Sequence, residues 1–164
     1  MKKKETFWLI GTIVFVLILI LWIFGISGLK SDSVTDINVH DTYYVIANIH
    51  LIIPMVTLIF FGVYLIRMLR RNFKNLTANL IFMISDITLI LIFTFLISLV
   101  NSIREIPGST EYPPLSGGIV ENAGNGWNNA FYILLIIQLI LIILLTISGI
   151  KTGRNYNRNF RPFC

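Results

Sequence analysis

The sequence predicts an all-α integral membrane protein: one domain, residues 1–164, folded as a four-helix bundle with both termini cytoplasmic. Three observations predict it. Composition is the first, with 55% hydrophobic and only 13% charged residues and a mean hydropathy of +0.80, outside the range of an ordinary water-soluble domain. Segment length is the second. Apolar runs over residues 7–26, 42–66, 78–100 and 129–150 each approach or exceed the roughly 20 residues that carry a helix across the hydrocarbon core. Lipid offers the backbone no hydrogen-bond partners, so such runs close their own bonds as helices. The third is charge placement. Lys2, Lys3, Lys4, Arg67, Arg70, Arg71, Lys74, Lys151, Arg154, Arg158 and Arg161 fall on one side of a four-span arrangement, and only Lys30 and Arg104 on the other. Basic residues are retained on the cytoplasmic side, which orients the chain. The formal net charge of +5 is therefore a topology signal, aided by anionic lipid, and needs no nucleic acid to explain it.

Taken in order, the first segment has a basic start and the small residues Gly25 and Ser27 after its apolar run, features shared with a cleavable signal peptide. Its length, with Trp8 and Trp22 near the two ends, favours a spanning helix with interfacial anchors. Residues 27–39 form a short outer connection in which Asp36 or Asn38 is placed to start the second helix. Residues 69–77 read as a brief basic turn. Residues 101–128, with Pro107, Pro113, Pro114 and several glycines, form a loop longer than a simple bundle connection requires. The single cysteine, Cys164, leaves no internal disulfide, no Cys-x-x-Cys pair and no covalent heme motif.

Two stretches resemble a known family. His40-Asp41-Thr42-Tyr43-Tyr44-Val45, followed by Asn48-Ile49-His50 and by Phe61-Gly62-Val63-Tyr64, is similar to the tenth helix of heme–copper oxidase subunit I. Tyr112-Pro113-Pro114-Leu115-Ser116-Gly117 is similar to a loop between two earlier helices of that subunit, here placed after rather than before the first motif. In that family the first motif ends in His-x-His, whose two imidazoles serve the high-spin and low-spin hemes. Here Asn48 stands at the first position and His50 at the second. Residues two apart on a helix point about 200° from each other, so one face is altered and the other kept. Asparagine is not an ordinary axial ligand of heme iron. The resemblance thus implies His50 as a heme ligand and removes the oxygen-reducing centre.

If the second helix begins at Thr42, His50 lies about 12 Å inside it, and Tyr43, His50, Thr57 and Tyr64 share a stripe that should face protein. An ionisable side chain at that depth is costly and marks a functional position. Two alternatives stay open. His50 either holds heme, with its second axial ligand from a partner subunit, a second copy of the chain, Met55 or Met83, or it hydrogen-bonds Gln138 of the fourth segment. His40 and Asp41 correspond to a magnesium-binding pair in the family, which implies Asp41 as an Mg2+ anchor and His40 as an auxiliary; the local alternative is that Asp41 caps the second helix. Asp86, the one carboxylate well inside a predicted span, either belongs to a proton-conducting polar stripe with Thr94, Ser98 and Asn101, or is protonated or paired with a basic residue of the inner turn and holds helices together.

The residues lack the further histidines that bind copper, a phosphate loop and a nucleophile with a nearby base. The expected function is accordingly that of a non-catalytic, heme-associated accessory component of a respiratory oxidase-type complex. A b-type heme electron-transfer subunit and a purely structural membrane bundle are the alternatives. The lipid bilayer, other respiratory subunits or a second copy are the expected partners. A bacterial plasma membrane is expected rather than a mitochondrial inner membrane, because no transit peptide is evident.

Overall fold

A computed structural model describes residues 3–30, 32–39, 42–104 and 124–159. Helix α1 (Lys3–Phe24) is followed by a single 3-10 turn (Ser27–Leu29), strands β1 (Val34–Val39) and β2 (Thr42–Ala47), and helices α2 (Ile49–Arg70), α3 (Leu76–Arg104) and α4 (Gly124–Asn159). All four helices are long and apolar enough to cross a membrane. At 1.5 Å per residue even the shortest, of 22 residues, measures about 33 Å, and α4, of 36 residues, about 54 Å.

Each helix turns one narrow face inward. On α1 the buried residues are Glu5, Thr12, Val16 and Ile20, with Leu9 packed on the core between the first two, a spacing of three or four that repeats with the helical turn. α1 ends at Gly25, whose φ of 66° gives the left-handed conformation glycine adopts without strain. α3 buries Ala78, Asn79, Phe82, Ser85, Asp86 and Leu89 and packs extensively on both α2 and α4, whereas α1 rests on α2 and the 3-10 turn. The core gathers Tyr64, Met68, Phe73, Ala78 and Phe82 near the α2–α3 turn, with the Phe61 and Phe82 rings 5.3 Å apart. Ser148 of α4 joins it by donating to Met68 Sδ at 3.2 Å.

Most of the apolar surface lies outside this core. No more than 22% of any of the four apolar stretches is buried, so these helices are greasy all round, the pattern of helices whose solvent is hydrocarbon.

The sequence expectation of four apolar helices matches this architecture, but their boundaries move. The second helix starts at Ile49, not at residue 42, because residues 42–47 pair with residues 34–39 as an antiparallel hairpin, Val34 opposite Ala47 through Val39 opposite Thr42. Asp36 and Asn38, expected to start that helix, lie within β1. The runs Val-Thr-Asp-Ile-Asn-Val and Thr-Tyr-Tyr-Val-Ile-Ala are dominated by β-branched and aromatic residues separated by only two positions, a hairpin pattern. α3 reaches Arg104, and α4 begins at Gly124 and continues to Asn159, beyond the expected 78–100 and 129–150. Within the expected loop 101–128, the ends are thus helical, and residues 105–123, including the Tyr-Pro-Pro-Leu-Ser-Gly motif, lie outside the described residues.

Candidate functional site

Two groups of interlocked polar side chains lie at opposite ends of the helices. At the hairpin end, Asn48 occupies the joint between β2 and α2 and is buried. Its Oδ1 accepts from Thr35 Oγ1 at 2.6 Å, and its Nδ2 donates to the Gly28 carbonyl at 3.3 Å. Its backbone N–H donates to the Ser33 carbonyl at 3.0 Å. One amide therefore ties the hairpin, the 3-10 turn and α2 together. The contact requires glycine at position 28, where an added Cβ would lie 2.5 Å from the Phe24 Cβ and 3.2 Å from Asn48 Nδ2. Beside this joint a cleft of about 410 Å3 opens between the end of α1 and the hairpin, with Lys30, Asp32, Ser33 and Thr35 among its lining.

His50 is exposed in the first turn of α2. The expected depth of about 12 Å does not hold, because the residues counted as helix above it are strand. Gln138 does not reach it either; its Nε2 donates to Thr94 Oγ1 at 2.8 Å, joining α4 to α3. Of the expected stripe, Thr57 and Tyr64 are buried, His50 is exposed, and Tyr43 belongs to β2. Asp41 cannot cap α2, since the helix starts eight positions later at Ile49 with Asn48 in the cap position. The described structure leaves out His40 and Asp41 themselves, the two residues between the strands.

Neither methionine expected as a second axial ligand shares an iron with His50 on this chain. Met55 is five positions from His50 on the same helix, about 140° around it, and cannot approach the opposite side of a shared iron. Met83 packs on the core at the other end, its methyl 3.9 Å from a Cβ built at Gly149.

At the basic end lies an ion pair that the sequence reading missed. Arg67 donates from Nε at 3.1 Å and from Nη2 at 2.6 Å to Glu5 Oε2, with both side chains buried. The Arg67 guanidinium also lies 4.8 Å above the Trp8 ring centre. Counting Arg67 only among the basic residues of one side hid its role; the usable signal was Glu5, a carboxylate in an otherwise apolar and basic segment. Nearby, Asn72 and Phe73 have φ of 47° and 60°, unusual for residues with side chains. The turn is held by Asn79, which donates to the Phe73 carbonyl at 2.8 Å and to Thr152 Oγ1 at 2.9 Å. Asn155 adds a bond to the Phe73 carbonyl at 3.1 Å.

Asp86 is fully buried, and neither of its oxygens has a hydrogen-bond partner among the described residues. The basic partner expected from the inner turn is not beside it. Nor does it continue into a polar stripe, because Thr94 and Ser98 are exposed and Thr94 donates to its own helix, to the Ile90 carbonyl. Among the described residues, no side-chain hydrogen bond joins Asn48, His50, Asp86 and Gln138 to one another. Comparison with known families, curated proteins and solved structures finds no match.

Proposed function

We propose that this chain is a non-catalytic, multi-pass membrane protein that serves as an accessory component of a respiratory oxidase-type complex. All four helices cross a bacterial plasma membrane, with the termini and the α2–α3 turn in the cytoplasm and the hairpin outside. One observation carries the accessory role. Several polar groups of the helices serve as struts between elements, Asn48, Glu5 with Arg67, Asn79 and Gln138 among them, while His50 and broad apolar helix faces remain exposed. Exposed apolar faces on a multi-pass protein are available to lipid and to the helices of a neighbouring subunit. The resemblance of residues 40–64 to oxidase subunit I supplies the class of complex.

Within this proposal, His50 binds heme only where a partner subunit or a second copy provides the opposite axial ligand. Affinity purification from the native membrane, with partner identification and a pyridine-hemochrome assay, tests it. Co-purification with respiratory subunits is expected, with any heme lost on His50→Ala. Purification free of respiratory subunits would overturn the proposal; heme retained at full occupancy in His50→Ala would remove His50 from it.

A further inference from the structure

The geometry points to a binding site for an anionic phospholipid at the basic end, in the cavity between α1 and α2. This cavity, of about 420 Å3, is lined by Trp8, Val63, Ile66, Arg67, Arg70 and Arg71. Four of these six, Val63, Ile66, Arg67 and Arg70, are spaced three or four apart and so form one face of α2. The face changes character along its length, apolar toward the middle of the helix and cationic at its end.

The charges differ in availability. Arg67 is neutralised by Glu5 and covered by Trp8, which leaves the exposed guanidinium groups of Arg70 and Arg71 to meet an outside anion. A helix C-terminus ordinarily repels anions, but here the carbonyls of Arg67, Met68 and Leu69 already accept from the amides of Arg71, Phe73 and Asn72. An arginine side chain matches a phosphate through paired N–H groups. Val63 and Ile66 then lie where an acyl chain would descend, and half-exposed Trp8 supplies an indole ring of the kind that favours the headgroup region. The ligand chemistry is therefore a phosphate diester joined to hydrocarbon. A second cationic cavity, of about 320 Å3, involves Lys151 and Arg154 together with Asn72 and Asn155, but has no comparable aliphatic wall.

The site rests on the membrane-spanning part of the proposed function, and the test separates the two. Full-length protein is reconstituted into vesicles of equal parts phosphatidylcholine and phosphatidylglycerol, released gently, and its retained lipid measured by native mass spectrometry. Phosphatidylglycerol is expected to be retained about thirtyfold over phosphatidylcholine, the scale set by two basic side chains at a membrane surface. The Arg70→Gln/Arg71→Gln protein should fall to parity, while Lys151→Gln/Arg154→Gln, with the same loss of charge, should keep the preference. Ile66→Trp, which fills the cavity without altering charge, should also reduce retention at unchanged helical circular dichroism.

Equal retention of the two lipids by the unaltered protein, or equal loss in both double variants, would overturn the site. Displacement of the lipid by millimolar inorganic phosphate would mark a free-anion site and overturn it too. Entry into the vesicles without selectivity defeats this inference alone; failure to enter defeats the spanning arrangement with it.

Discussion

Asn48 and Arg67 show how little a polar residue's type reveals until its tertiary partners are known. Asn48 uses both halves of its amide on groups 13 and 20 positions away in the chain, so Asn48→Ala leaves Thr35 and the Gly28 carbonyl without it. The expected loss is about 1–3 kcal/mol of stability, visible as a lower thermal midpoint in mild detergent. Arg67→Met should be worse, about 3–5 kcal/mol, because it strands the Glu5 carboxylate in a buried position. The double variant Glu5→Gln/Arg67→Met should recover most of that loss; a double variant as unstable as the single one would refute the pairing. The sequence singled out Asn48 as a position altered from histidine, but its structural use depends on a hairpin that brings Thr35 beside it. Asp86 was legible as a buried carboxylate, yet its neighbours were not, since side-chain direction on α3 follows from packing on two helices at once.

At the scale of elements, the four long helices were readable because hydrophobic length is a strong, local signal. The hairpin was not, because residues 42–47 join directly to α2 and share its apolar character. A short apolar run is ambiguous between strand and helix by periodicity alone, and the resemblance to an oxidase helix weighted the choice toward helix. An isolated two-stranded hairpin is marginal in water, so its attachment through Asn48 and Ser33 matters. Hydrogen exchange distinguishes the two conformations. With Asn48 bonded to Ser33 and the register continuing from Val34 opposite Ala47, alternate amides point into the ladder. The amides of Tyr44 and Ile46 should exchange more slowly than those of Tyr43 and Val45, whereas a helix beginning at Thr42 would leave the amides of residues 42–45 without helical partners and protect those from Ile46 onward, with no alternation.

Across the whole molecule, charge and geometry give the same arrangement by separate routes. The Glu5–Arg67 pair puts the start of α1 beside the end of α2, and the Asn155–Phe73 bond puts the end of α4 beside the α2–α3 turn. Start, turn and end therefore share one side, opposite the hairpin. In a Cys164→Ser background, Asp36→Cys should react with an impermeant maleimide in intact cells, and Lys74→Cys only after permeabilisation. The reverse pattern would invert the proposed orientation. The overhang of α4 was less legible, because its last residues, Thr-Gly-Arg-Asn-Tyr-Asn-Arg-Asn, carry little apolar patterning and hold their helix by continuing the turns before them.

The buried ion pair also imposes an order on biosynthesis. Glu5 emerges from the ribosome 62 positions ahead of its counter-ion, and an ionised carboxylate has no stable place in oil by itself. With the chain inserted as proposed, the amino-terminal helix would stay at the water boundary until Arg67 arrives, so that the first two helices settle as a couple.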